Sequence, residues 1–308
     1  MALRGPQTLA EFFHHAVRRL TAARLHYGHG THNARDEAAY LVLHTLGLPL
    51  DALRDNLRRP LSASELRRLD AIVERRVRER IPAAYLTHEA WLGEFSFYVD
   101  RRTIVPRSFI AELLRSGLSP WLRRPVRRAL DLCTGSGCLA VLLAHYFPRA
   151  EIDAAELSAG ALAVARRNVA RYRLQSRIRL IRSDLFASFA NERYDLIVTN
   201  PPYVTATAMR TLPAEYRHEP RIALAGGNSG FDLVSKILAA APAHLSARGL
   251  LLCEIGHHRK ALEGAYPHVP FVWPETSAGP GYVFLLERKA LPALKGGGRR
   301  RTPEKRSA

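Results

Sequence analysis

From Thr8 to about Arg80 the apolar positions recur three and four residues apart: Leu9, Phe12, Phe13, Ala16, Val17 and Leu20, then Ala38 to Leu46, then Leu66 to Val77. That spacing draws one apolar stripe along each of several helices and predicts a small helical domain over residues 1–88. The run Glu74-Arg75-Arg76-Val77-Arg78-Glu79-Arg80 reads as a solvated helix end, with nucleic-acid contact as the other reading. From Trp91 to Val99 the aromatics Trp91, Phe95, Phe97 and Tyr98 stand around a Gly-Glu turn, which predicts a hairpin inside a linker spanning 89–126.

From Arg127 the period changes. Short apolar runs alternate with helical stretches: Ala129–Cys133 then Leu139–Tyr146, Glu151–Glu156 then Ala159–Tyr172, Ile178–Arg182, Tyr194–Thr199, a helix from Leu233 to His244, and Leu250–Ile255. The strands show no in/out alternation, as strands covered on both faces should not. An α/β fold follows for 127–290, a mostly parallel sheet with helices on both sides. Residues 291–308, with Lys295-Gly296-Gly297-Gly298-Arg299-Arg300-Arg301, are low-complexity and basic and read as a disordered tail with an attraction for RNA.

A chain of 308 residues is long enough for a large domain and a smaller one without covalent staples. Cys133, Cys138 and Cys253 are odd in number, and no Cys or His stands near them at zinc-ligand spacing, so reduced thiols and no metal site are expected. No apolar stretch approaches membrane-spanning length. The Arg-rich amphipathic start would suit an organelle transit peptide, but Glu11, Asp36 and Glu37 interrupt it, and a cytoplasmic enzyme is expected. The net charge is +18, and only five of the 46 basic residues are lysine. An arginine-rich coding bias accounts for part of that excess, and the rest favours encounter with an acidic partner such as a nascent ribosomal particle.

The string Asn200-Pro201-Pro202-Tyr203 follows the apolar run Asp195–Thr199. A planar NH2 group is a poor nucleophile because its lone pair is delocalised, and two fixed acceptors can hold it in line with an electrophile. The Asn200 side-chain oxygen and the Pro201 carbonyl are such acceptors; Pro201 and Pro202 stiffen the loop, and Tyr203 offers a flat face. Alone, the string is equally an ordinary turn closing a strand.

Asp131-Leu132-Cys133-Thr134-Gly135-Ser136-Gly137 closes the first strand of the sheet and opens a helix, where a doubly wound fold binds its cofactor. A dinucleotide and S-adenosylmethionine compete for such a loop. Asp131 favours the cationic sulfonium of the second, and Ala140 occupies the place of a dinucleotide fingerprint's third glycine. Glu156, ending the next strand, is placed to accept from both ribose hydroxyls of either cofactor. Asp184 in Ser183-Asp184-Leu185-Phe186 is placed to accept from an adenine amine, with Leu185 against the ring; the alternative is a helix cap. Asp131, Glu156, Asp184 and Asn200 end successive strands and so converge on one edge, where Asn200 would border the cofactor as well as the acceptor.

The order of these motifs resembles class I, Rossmann-like S-adenosylmethionine-dependent methyltransferases that modify protein glutamine amides. Within them the chain resembles the ribosomal protein L-three glutamine N5-methyltransferase family, through Tyr27-Gly28-His29-Gly30-Thr31, Arg80 to Leu86, Val105-Pro106-Arg107-Ser108-Phe109-Ile110-Ala111-Glu112 and Leu212 to Pro220. The release factor branch shares Asn-Pro-Pro-Tyr but carries Pro-Arg-Pro upstream, where this chain has Pro106-Arg107-Ser108. The likeness runs from about Leu9 to Leu286. Glu156 stands where the family more often has Asp, Phe109 where it often has Pro, and His257-His258 is unusual. The resemblance implies a large-subunit ribosomal protein as substrate; the basic surface and tail, by their charge, add an expected weak RNA contact.

The implied reaction gives N5-methylglutamine, with Asn200 and Pro201 stabilising the charge that develops on nitrogen and no dedicated base. His14-His15 and His257-His258 read as surface residues. Gly226-Gly227-Asn228-Ser229-Gly230 lacks the Lys of a phosphate loop and reads as a turn beside the site, with Glu219-Pro220 capping it. An adenine-N6 methyltransferase would use the same clamp on a flipped base, and a release factor methyltransferase would use it on another protein. A non-catalytic assembly factor would show a broken clamp or loop, and neither is broken here.

Overall fold

The computed structural model describes residues 7–291; the first six residues and, apart from Leu291, the tail read at 291–308 lie outside them. The N-terminal region holds α1 (Leu9–Ala22), α2 (Ala34–Leu46), the short α3 (Leu53–Asn56), α4 (Ala63–Arg78) and the short α5 (Ala83–Thr87). Two of these helices begin with a reciprocal capping box: Thr8 with Glu11 at α1, and Ser62 with Glu65 at α4. The stripes of α1, α2 and α4 then bury Leu9, Phe12, Ala16, Val42, Leu69 and Val73 in one cluster. No helix among the described residues is long and apolar enough to cross a membrane.

The hairpin follows, β1 (Glu89–Leu92) paired with β2 (Phe95–Tyr98). Residues 89–126, expected as a linker, are more than that. Phe97 of the hairpin, Ile110 and Leu114 of α6 (Ile110–Arg115), Leu118 and Val126 join the same buried cluster as Ala129, Val141 and Val198. Asn168 binds the hairpin from the far side: its amide accepts from the Tyr98 N–H at 2.7 Å and donates to the Tyr98 carbonyl at 3.0 Å.

The sheet is built from β3 (Arg128–Leu132), β4 (Glu151–Glu156), β5 (Ile178–Arg182), β6 (Tyr194–Thr199), β7 (Leu245–Glu254) and β8 (Val283–Glu287), in the spatial order β5-β4-β3-β6-β7-β8. All neighbours are parallel except β7 and β8, and β8 was not foreseen from the sequence. The helices α7 (Cys138–Tyr146), α8 (Ala159–Arg171), α9 (Ala208–Thr211), α10 (Asp232–His244) and α11 (Arg259–Ala265) complete the fold. On β6, Leu196 and Val198 join one cluster and Ile197 the other, so consecutive residues are equally buried on opposite faces. That is why the strands read as unbroken apolar runs. The order reverses at β3 and β6, which opens a crevice at their carboxyl ends.

The segment between β6 and α10 reaches across that crevice to the helical domain. Glu215 is fully buried beside Arg76 (3.6 Å) and Arg80 (2.8 Å), and accepts from the His26 N–H at 3.0 Å. Arg76, only 1% exposed, also pairs with Glu37 at 2.6 Å. Charges buried this deeply are tolerated only when paired and hydrogen-bonded, so the network fixes how the two halves of the protein meet.

Candidate active site

The loop after β3 is set from beneath. Asp131 has no exposed surface; burial, eased by bonds from Thr134 and the Ala140 backbone, pushes its carboxyl up to about 7. It accepts from the Thr134 hydroxyl and is not among the residues that line the cavity beside the loop, so in this structure Asp131 supports the loop from beneath. Thr134 and Ser136 are likewise buried, and Gly137 packs against Ala165 of α8. The Asn168 amide, besides holding the hairpin, donates to the Ser136 carbonyl at 2.8 Å. Only Cys133 and Gly135 of this string face the cavity.

Glu156 lies across from them and accepts from the Gly135 N–H at 3.0 Å and the Ser158 N–H at 2.9 Å. A carboxylate has about four lone-pair sites, so acceptor capacity is left for two hydroxyls. Asp184 and Leu185 line the same cavity. The turn that follows is held by Ser183, whose hydroxyl takes the Ser188 N–H, so Asp184 is not its cap. The lining includes Glu156, Asp184 and one cation, Arg102, which is paired with Asp100 at 2.6 Å. Such a donor set suits a nucleoside carrying a cationic sulfonium and does not suit a pyrophosphate.

The clamp string stands at the next strand end. Thr199 ties β6 to β3 by donating to the Leu132 carbonyl at 2.9 Å, which brings Asn200 beside the loop. The Asn200 amide nitrogen donates to the Arg107 carbonyl at 3.2 Å. Its nitrogen is thereby occupied and its oxygen is the end left for a ligand. Arg107 is itself held by two bonds of 2.7 Å to Glu219. Glu219 also accepts from the Val105 N–H at 2.9 Å and faces His29 at 3.7 Å. Burial opposes ionisation of Glu219, but Arg107 outweighs it and holds the carboxyl down at about 2. Glu219 therefore anchors the Arg107 segment, and the expected cap on the glycine loop is not formed by it.

Tyr203 is fixed on every side. A side chain at Gly226 would bring its Cβ to 2.5 Å from Tyr203 Cα, and one at Gly256 would meet the Tyr203 ring at 2.8 Å. Both glycines are there because the backbone approaches too closely for any other residue. The Val204 N–H donates to the Leu224 carbonyl at 2.9 Å and the Gly226 N–H to the Val204 carbonyl at 2.8 Å. His258, expected at the surface, is half-buried and donates from its ring to the Tyr203 carbonyl at 2.8 Å. The Tyr203 hydroxyl reaches Glu254 at 3.3 Å, and Glu254 also takes the Ser108 hydroxyl at 2.6 Å and the Phe109 N–H at 3.0 Å. Burial pushes Glu254 up to about 7.

Two cavities meet at this point. One is the loop cavity of Cys133, Gly135, Glu156 and Asp184; the other is lined by His26, Arg107, Tyr203 and Tyr216. Asn200, Pro202, Ile104 and Ala223 belong to both, and Pro201 to the second. Sequence reasoning missed Asn168, Glu254 and the Arg107 carbonyl. Glu254 was within reach, since it ends an apolar strand as Glu156 does.

The profile of the PrmC N-terminal domain family matches residues 11–87 and that of the Methyltransferase small domain family residues 111–215. A ribosomal protein uL3 glutamine methyltransferase of Neisseria meningitidis is 55% identical over 286 residues, 92% of this chain and 94% of the relative. One of Bordetella pertussis is 55% identical over 287 residues, 92% of this chain and 96% of the relative. Among solved structures, a methyltransferase from Pyrococcus furiosus shares 20% identity at a TM-score of 0.48, over 64% of this chain and 90% of that one. S-Adenosylmethionine is the methyl donor of this class, and with near full-length identity above half, the chain belongs to the ribosomal protein uL3 glutamine methyltransferase family.

Proposed function

We propose that this protein transfers a methyl group from S-adenosylmethionine to the side-chain amide nitrogen of a glutamine in the large-subunit ribosomal protein uL3. The observation that carries the reading is the meeting of two cavities at Asn200, whose amide oxygen is the end left for a ligand. The relatives' names supply the acceptor.

Glu156 holds the ribose, Asp184 and Leu185 the adenine, and Cys133 and Gly135 border the cofactor alongside Asn200. Asp131, Thr134, Ser136 and Gly137 keep that loop in shape. When bound, S-adenosylmethionine supplies an electrophilic methyl group on a good leaving group. Asn200 Oδ1 and the Pro201 carbonyl each accept one N–H of the glutamine amide, which turns its plane across the cavity junction. Both acceptors strengthen as charge builds on nitrogen, so they bind the transition state more tightly than the ground state. Pro202 stiffens the turn, and the Tyr203 ring lies along the acceptor cavity. Glu254 is committed to Ser108, Phe109 and Tyr203, so the proton released from the methylated amide goes to solvent. Positioning of this kind supplies up to roughly 7–11 kcal/mol in well-oriented reactions.

The helical domain, whose His26 borders the acceptor cavity, contributes to recognition of the protein substrate. The arginine excess supports a secondary contact with ribosomal RNA. The test is transfer of labelled methyl to purified uL3, to release factor and to an adenine-containing oligonucleotide, followed by mass spectrometry. One added methyl on a uL3 glutamine is the expected result. Labelling of nucleic acid or release factor alone overturns the proposal.

A further inference from the structure

A second groove, of about 960 Å³, opens at the end of the sheet opposite the candidate active site. It is formed where β3 and β6 begin, where β7 passes Ser246 to Arg248, and where the antiparallel β8 finishes at Glu287. The active site lies beyond the other ends of β3 and β6, and strands of five or six residues are about 17–20 Å long. The groove and the site are therefore separated by the full depth of the sheet.

The groove's charge is one-sided. Arg123, Arg124, Arg127, Arg248 and Lys289 line it and are exposed. Among the described residues none of the four arginines pairs with a carboxylate, whereas Lys289 pairs with Glu287 at 2.7 Å. The other carboxylate of the groove, Asp195, is turned into the fold. It takes the Arg127 and Arg128 N–H groups at 2.9 and 3.2 Å and the Ser246 hydroxyl at 3.0 Å. Trp121 is half-buried in the wall, its ring packed against the core.

Unpaired guanidinium groups in a concave wall are planar forks with nothing to grip, and phosphate oxygens match them. An indole in the same wall gives an unstacked base a platform. We propose that this groove binds the phosphate backbone of RNA at a site separate from methyl transfer. A chain bound there keeps its cofactor loop and clamp open, so the enzyme can be tethered to ribosomal RNA while it modifies a protein. The groove's charge and shape are independent of which side chain the clamp methylates.

The experiment uses the full-length chain and a fluorescently labelled single-stranded uridine oligonucleotide, with binding followed by anisotropy between about 50 and 200 mM salt. In the variant R123E/R124E/R248E affinity is expected to fall at least about tenfold, and the log–log salt slope to flatten by about 2 for three lost contacts to a single strand. Methyl transfer to isolated uL3 should stay within about twofold of the unaltered chain. If charge reversal lowers the unfolding temperature, R123Q/R124Q is read in its place, with a slope change of about 1.4. Unchanged affinity and slope in the groove variants overturn the proposal. So does complete loss of binding on truncation after Leu291 with no effect of the groove substitutions. Binding to phosphatidylglycerol vesicles without binding to RNA overturns it as well. Loss of transfer to uL3 in the unaltered chain would bear on the proposed reaction and leave the RNA measurement intact.

Discussion

The side-chain nitrogen of Asn200 donates to the backbone carbonyl of Arg107 across 3.2 Å, and this bond decides which end of the amide faces the acceptor. Replacing Asn200 by Ala removes the oriented oxygen. Transfer should fall by about 10²–10³ in kcat, the usual loss for one preorganised polar group. Cofactor affinity, measured by calorimetry, should change less than tenfold, because Glu156 and Asp184 are untouched. Asn200→Asp should fare no better: its carboxylate has no proton to give Arg107 and is pushed away by that carbonyl. Full activity in either variant would sink the clamp.

Gly226 tests whether the loop must be held still. The Cβ introduced by Gly226→Ala would sit 2.5 Å from Tyr203 Cα and 2.7 Å from its carbonyl carbon, so the Tyr203 segment must move. We expect kcat to fall by at least about tenfold, since displacements near 1 Å carry losses of this order or greater. The unfolding temperature should drop as well, because Gly226 is buried and the added Cβ meets only backbone atoms, of Tyr203 and Gly230. Unaltered kcat would show that Tyr203 has room to spare.

Arg107 and Glu219 form a largely buried pair, and breaking one side of such a pair costs about 3–5 kcal/mol. Arg107→Met should lower stability in denaturant melts by that order while keeping the backbone carbonyl that meets Asn200. Adding Glu219→Leu should restore part of the loss, as a double-mutant cycle would record. The pH dependence has a definite sign. Glu219 is held down at about 2 against an ordinary 4.5, so its contribution is present above 4.5 and is lost as pH falls toward 2. The stability gap between the unaltered chain and Glu219→Gln should therefore close over that interval and stay constant above it.

Glu254 has the opposite sign. Its carboxyl is raised from 4.5 to about 7, so the folded state prefers it protonated, and stability is lost as pH rises from 4.5 through 7. Glu254→Gln keeps an acceptor for Ser108 and Phe109 without the charge. The variant should gain on the unaltered chain as pH rises to 8, by up to about 3 kcal/mol if the whole shift is felt. A gap independent of pH would mean that Glu254 is ionised throughout.

Much of this was legible in the sequence, for physical reasons. Glu151–Glu156, Ile178–Arg182 and Tyr194–Thr199 were read with the bounds the structure gives, because an apolar run ending at a polar residue marks a buried strand. Val283–Glu287 was missed: a short apolar run carries no period of its own, and only pairing with β7 makes it a strand. At the site, Glu156, Asp184 and Asn200 stand at strand ends as expected and line one crevice. Asp131 ends its strand too, yet a strand end has an underside, and Asp131 occupies it. The Arg107 carbonyl was out of reach because a backbone atom leaves no mark in composition. His258 looked like a surface histidine because its partner, the Tyr203 carbonyl, is 55 residues away.

The four strings that carried the family resemblance meet around one network. Tyr27–Thr31 supplies His29, Arg80–Leu86 supplies Arg80, Val105–Glu112 supplies Arg107, and Leu212–Pro220 supplies Glu215 and Glu219.

The buttress on Tyr203 draws on Gly256 and His258, while the carbonyl that orients Asn200 comes from residue 107. During synthesis the cofactor loop and its Glu156 partner leave the ribosome about a hundred residues before that buttress does. The cofactor cavity is itself closed by Asn200, Pro220, Ala223 and Leu233, so the place for the methyl donor and the aim on the acceptor both wait for the second half of the chain.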